Sequence, residues 1–157
     1  MDEGFHTDRG YDLLARQGAG LTSSMEDYLE MIARHSTETG YLRVNQLAGF
    51  LSVKASSATR MAQKLRDLRL IQFERYGLIR LTPAGAELGA ALLARHQAIA
   101  RFLTLLGVQD DVLTQTELIE HSLQPDTVAR LDALCAFFAA NADVARRWGA
   151  WGTRPVP

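Results

Sequence analysis

From Met25 onward apolar residues recur at helical spacing, and Met25, Tyr28, Leu29, Ile32 and Ala33 share one face. Ser23 followed by Glu26 has the spacing of a capping box, which predicts a helix over 24–36. After a break at 37–40, Leu42 and Val44 lead into a short helix that Asn45 can cap and that carries Leu47, Ala48 and Leu51. A tight turn over 52–54 follows. The next helix, 55–68, sets Ala58, Met61, Ala62, Leu65 and Leu68 on one side and Ser56, Thr59, Arg60 and Gln63 on the other. Two short helices around a tight turn, the second polar and basic outward, form a helix-turn-helix pattern. Segments 70–74 and 78–81 then read as strands joined at Arg75, Tyr76 and Gly77, the position of a wing.

Thr82 and Pro83 combine a capping hydroxyl with a proline at the first helical turn, and nothing breaks the pattern before Gly107. The expected helix has about 24 residues and a length of roughly 36 Å. Leu88, Leu92, Ile99, Phe102, Leu103 and Leu106 are too many apolar positions for a solvated spacer, so this helix should pack on another helix or subunit. Further helices are expected over 110–123, 125–140 and 143–148. The predicted fold is mainly α, a winged helix-turn-helix DNA-binding domain followed by an all-helical dimerisation and metal-binding domain. The expected divisions are an extension over 1–22, a winged domain over 23–82, a helical dimerisation domain over 83–148 and a loose tail over 149–157.

Composition qualifies this picture in three ways. The 157 residues are 47% hydrophobic, enough for a packed core, and the formal charge of −1 does not announce a nucleic-acid partner. Charge is segregated, however: residues 41–82 hold eight basic and two acidic side chains, a net +6 that leaves −7 elsewhere. Cys135 is the single cysteine and lies in an apolar helical run with Leu131, Leu134, Phe137 and Phe138, a core position with no disulfide partner in its own chain. With no apolar run of membrane-spanning length and no signal-peptide pattern, a cytoplasmic protein without a membrane partner is expected.

A helix entering the major groove needs short polar side chains near its N-terminus and basic ones to neutralise phosphates. Ser56, Ser57, Thr59, Arg60, Gln63 and Lys64 supply that set, and Arg75 and Arg80 would meet phosphate or the minor groove from the wing. The plainer alternative is that these charges only solubilise exposed elements.

A second constellation is acidic. Asp27 and Glu30 stand at i, i+3 on the first helix, away from its apolar face. Glu117, Glu120 and His121 stand at i, i+3, i+4 on a later one, and His96 lies on the long helix. Crowded carboxylates repel unless a cation sits among them. Oxygen donors with few imidazoles and no thiol suit Mn(II) or Fe(II) better than the thiolate-rich sites of structural zinc. Four carboxylates against two divalent ions would balance in charge, which permits a dinuclear site.

Ser24-Met25-Glu26-Asp27-Tyr28-Leu29-Glu30, Met61-Ala62-Gln63-Lys64-Leu65, Leu81-Thr82-Pro83-Ala84-Gly85, Arg95-His96 and Glu117-Leu118-Ile119-Glu120-His121, in this order, resemble the diphtheria toxin repressor family in its manganese transport regulator branch. The resemblance covers roughly residues 22–138. It implies that Asp27, Glu30, His96, Glu117, Glu120 and His121 hold two ions per subunit. It also implies a manganese(II)-activated repressor of metal-uptake genes, a homodimer on a palindromic operator in double-stranded DNA. In the iron-responsive branch methionine stands at the position of Asp27 and cysteine at that of Glu117, so the oxygen donors here favour manganese, with Fe(II), Zn(II), Co(II) or Cd(II) as other occupants. The chain has no room for the extra C-terminal SH3-like domain of iron-type relatives, and Ala100 stands where a glutamate could extend the site. Two other readings stay open: an iron(II)-responsive member of the family, and a MarR-like winged-helix regulator sensing a small organic ligand. A dinuclear carboxylate enzyme explains neither the basic helix nor the wing, and no enzymatic activity or small organic substrate is expected.

Overall fold

The computed structural model describes residues 20–36 and 39–152. The chain forms two compact units that divide between Leu93 and Ala94. The expected N-terminal extension up to residue 19 and the final residues 153–157 lie outside the described residues. Among the described residues no helix is long and apolar enough to cross a membrane.

The first unit opens with α1, Ser23–Ser36, whose face of Tyr28, Leu29, Ile32 and Ala33 is buried. Thr22 caps it instead of Ser23: its Oγ1 accepts from the Met25 N–H at 3.3 Å while its carbonyl accepts from Met25 and Glu26 at 2.9 and 3.0 Å. The third helical position is thus Met25. β1, Leu42–Arg43, leads directly into α2, Val44–Phe50. Here the start lies two residues early: Arg43 is the N-cap, Asn45 is inside the helix, and the Arg43 N–H donates to Gln46 Oε1 at 3.0 Å. α3 spans Ala55–Asp67 and buries Ala58, Ala62 and Leu65, whereas Leu68 is exposed beyond its end.

Both helices of the pair close the same way. The Val53 N–H reaches back to the Ala48 carbonyl at 2.9 Å, and that of Leu70 to Leu65 at 3.0 Å. The left-handed residues that permit this are Ser52 (φ 53°) and Arg69 (φ 59°), positions where glycine is usual. β2, Ile71–Glu74, and β3, Leu78–Leu81, pair antiparallel with Ile71 opposite Leu81 and Glu74 opposite Leu78. Tyr76 and Gly77 both have positive φ in the connecting turn Arg75–Gly77, which reverses the chain, and Tyr76 is 91% exposed at its tip. β1 adds to the other edge of β3, giving the order β1-β3-β2.

α4, Pro83–Leu105, begins as the sequence predicts, with Thr82 Oγ1 accepting from the Gly85 N–H at 3.0 Å. Within the first unit it packs closely on α1: a Cβ on Gly89 would lie 2.6 Å from that of Ala33. This small-on-small crossing fixes the helix that carries Asp27 and Glu30.

The second unit holds the remainder of α4 and three further helices: α5 (Val112–Glu120), α6 (Pro125–Ala140) and α7 (Ala142–Gly152). α5 is shorter than the expected 110–123. Asp111 is left-handed at its start, and beyond its end the N–H groups of Ser122 and Leu123 turn back to the Ile119 carbonyl at 2.9 and 3.2 Å. α7 extends four residues past Trp148, so Gly149–Gly152, expected as part of a loose tail, is helical. Trp148 anchors it by donating Nε1–H to the Leu105 carbonyl at 2.7 Å, and Arg101 of α4 pairs with Asp132 of α6 at 2.6 Å.

Candidate nucleic-acid interface and metal centre

In the first unit the buried stripe of α3 turns its opposite side outward: Ser56, Ser57, Arg60, Gln63 and Lys64 are exposed, and Thr59 is half-buried with its hydroxyl donating to the Ala55 carbonyl at 2.9 Å. These are the side chains expected to face DNA, and the fold presents them together on the outer side of the second helix of the pair. Arg75 is exposed on the wing turn. Arg80 has work within the wing itself. Its Nε lies 3.5 Å from Glu74 Oε1, its Nη1 donates to the Gly40 carbonyl at 3.4 Å, and its guanidinium stands 5.5 Å from the Tyr41 ring centroid. Tyr41 and Gly40 were not legible as its partners because they precede it by about 40 residues.

On α1, Asp27 is half-buried and Glu30 buried, one turn apart. Glu30 Oε1 accepts from Arg34 Nη2 at 2.6 Å, an i, i+4 pair on the same helix.

In the second unit α4 and the end of α5 bring three of the expected residues together. His96 and Glu120 are buried, and His96 donates from Nδ1 to Glu120 Oε2 at 2.9 Å. His121 Nε2 lies 3.7 Å from Glu120 Oε1. His121 is the C-cap of α5. Glu117, one turn earlier, is exposed. Arg95, which sequence reasoning did not assign to the site, is buried beside His96 in the chain with its Nη2 3.3 Å from His121 Nδ1.

A carboxylate excluded from water beside two imidazoles is a costly arrangement that a cation would relieve, and this set of one oxygen and two nitrogen donors, without a thiol, suits a divalent metal ion. Cys135 stands apart chemically. It is half-buried on α6 against a groove of about 640 Å³ that Phe138 and Leu105 also line. Burial pushes its thiol above the ordinary value, while the neighbouring Arg101 charge acts in the opposite sense. Alkylation by iodoacetamide near neutral pH is therefore expected to be slower than for free cysteine, as measured by mass spectrometry.

Two family models match the chain in succession: the N-terminal DNA-binding domain of iron-dependent repressors over residues 20–78, and the metal-binding and dimerisation domain of the same repressors over residues 82–149. The chain belongs to the iron-dependent repressor family. Its modules are those of a metal-dependent DNA-binding transcriptional regulator. It is 40% identical over 118 residues to the HTH-type transcriptional regulator MntR of Geobacillus kaustophilus, covering 74% of this chain and 84% of that protein. It is 37% identical to MntR of Bacillus subtilis over the same length, covering 74% and 83%. Among solved structures, that of the manganese regulator SloR superposes with a TM-score of 0.64 at 28% identity, over 74% of this chain and 55% of that one. The match thus spans little more than half of that longer protein.

Proposed function

We propose that this member of the iron-dependent repressor family is a manganese(II)-activated repressor of metal-uptake genes that binds a palindromic operator as a homodimer. The observation that carries the reading is the buried His96–Glu120–His121 donor set in the unit matched by the metal-binding domain. Asp27, Glu30 and Glu117 are the remaining candidate ligands, and the family resemblance implies two ions per subunit. When bound, the ions supply the positive charge that lets these acidic side chains stand together. Ion binding then leaves the dimer less conformational freedom to lose on an operator with half-sites about one helical turn apart. Ser56, Ser57, Thr59, Arg60, Gln63 and Lys64 read and grip the DNA, and Arg75 holds the flanking backbone, with Arg80 keeping the wing in shape beneath it. Leu113, Leu118, Leu134 and Phe137 are exposed apolar side chains of the second unit and support its self-association.

The test is enrichment of duplexes from a random pool by the full chain, followed by binding curves with Mn(II), Fe(II) and Zn(II) at fixed salt. Manganese-stimulated binding is expected to disappear in Glu117→Ala while the fold persists by circular dichroism. Equal binding without any metal would remove the sensing reading, and stimulation by Fe(II) alone would reassign the ion. Arg60→Ala is expected to weaken binding by about 1–3 kcal/mol if the side chain reads a base, or to lower the salt slope by about 1 if it holds a phosphate.

A further inference from the structure

Among the described residues Arg95 is the buried charged group of the second unit that the proposed ligand set does not use. Its Nη2 lies 3.3 Å from His121 Nδ1. A guanidinium carries donors only and stays charged, so Nδ1 of His121 supplies the lone pair. The neutral ring must then carry its proton on Nε2, the nitrogen 3.7 Å from Glu120 Oε1. Neither nitrogen of His121 is open in this arrangement: one accepts from Arg95 and the other bears hydrogen. His96 is in the opposite condition. It donates from Nδ1 to Glu120 Oε2 at 2.9 Å and keeps Nε2 as the lone-pair nitrogen, the orientation in which a carboxylate-bonded imidazole ligates a metal. The two histidines therefore hold opposite tautomers.

We propose that Arg95 is an internal cation that occupies His121 in the metal-free chain and competes with the incoming ion, thereby setting the concentration at which the sensor responds. The inference rests on the reading of His96, Glu120 and His121 as ligands and adds a residue that opposes them. Two physical effects act in the same direction. Coordination by Nδ1 requires the hydrogen bond from Arg95 to break, and coordination by Nε2 requires the ring to change tautomer. Meanwhile the guanidinium, only 7% exposed and poorly screened, offsets the negative charge of Glu120 that would otherwise attract the ion. Substituting Arg95 removes both obstacles, so affinity should rise where loss of a supporting residue would lower it.

Binding of Mn(II) to the full chain without DNA, read from the electron paramagnetic resonance signal of the free ion, distinguishes the outcomes. Arg95→Met is expected to bind Mn(II) about tenfold more tightly than the wild type, the scale of one hydrogen bond to a charged group, with a smaller gain in a His121→Ala background. Its metal-free form is expected to melt at lower temperature, a change that reports on the folded protein and not on its activity. Unchanged or weaker binding by a folded Arg95→Met chain, in a wild type that does bind, overturns this inference alone. No binding by the wild type removes the ligand reading and this inference with it. If the variant does not fold, nitrogen NMR of the metal-free wild type decides: Nδ1 of His121 should be the unprotonated nitrogen, and a proton on Nδ1 would sink the proposal.

Discussion

A chain carrying Gly85→Ala is expected to melt about 3–20 °C below the wild type, because the added methyl has nowhere to go. A Cβ at Gly85 would lie 1.8 Å from the Leu70 carbonyl oxygen and 2.8 Å from its carbon, and both are backbone atoms that no rotamer change can move. The same carbonyl accepts from the Thr82 N–H at 3.1 Å and stands 3.0 Å from Thr82 Oγ1, which in turn caps the first turn of α4. Relieving the clash moves α4 off the end of α3 and breaks this knot. Overpacking of a filled site costs about 1–3 kcal/mol and the loss of a helix cap about 0.5–2 kcal/mol. Together they approach half of a typical domain's stability of about 5–15 kcal/mol, at about 2–4 °C per kcal/mol for a chain of this size. Gly49→Ala is the control. That glycine is inside α2 with nothing within 4 Å of its Cβ direction, so the substitution should leave the midpoint unchanged or raise it. A midpoint for Gly85→Ala within about 2 °C of the wild type would show that the turn at Thr82 is looser than its geometry.

The same turn shows what made the fold legible. Thr82, Pro83 and Gly85 are local signals, a cap, a fixed φ and a vacant Cβ, and the long helix begins where they place it. The face of α1 and the stripe of α3 are equally local, since each depends only on a 3.6-residue period. The errors have local causes too. Thr22 and Ser23 are equivalent hydroxyls one residue apart, and spacing to Glu26 favoured the wrong one. Ser52, Arg69 and Asp111 adopt left-handed backbone without the glycine that would advertise it, so the turns were visible but the short end of α5 was not. β1 has two residues, too few for any period, and exists because β3 offers it an edge. The site divides in the same way. Its acidic and imidazole members were legible from helical spacing, whereas the burial of Glu120 against the exposure of Glu117 was not, because both occupy the same nominal face. Arg34 and Arg95 escaped notice because a basic residue among carboxylates reads as a solvated charge until the fold buries it or gives it a partner.

The second large effect is expected at Glu120, and it separates stability from sensing. Glu120→Gln keeps the size and shape of a side chain only 2% exposed and removes its charge. The amide oxygen can still accept from His96 Nδ1, as Oε2 does now at 2.9 Å. Removing only the carboxylate charge leaves the buried Arg95 guanidinium without the charge that compensates it, and breaking one side of a buried charge pairing costs stability. The metal-free variant should therefore melt below the wild type. With metal the two should diverge further. A ligand that binds only the folded chain stabilises it by about 2.7 kcal/mol at a hundredfold excess over its Kd. For a chain of this size that is a rise of about 5–11 °C. The wild type should show this rise with Mn(II) and Glu120→Gln should show none, because an amide cannot balance a divalent charge and Glu120 is the carboxylate both imidazoles of the second unit approach. Scanning calorimetry with and without Mn(II) reads both halves of the expectation in one experiment. An undiminished rise in Glu120→Gln would exclude Glu120 as a ligand. A lowered metal-free midpoint with the rise intact would make it a structural partner of His96 and nothing more.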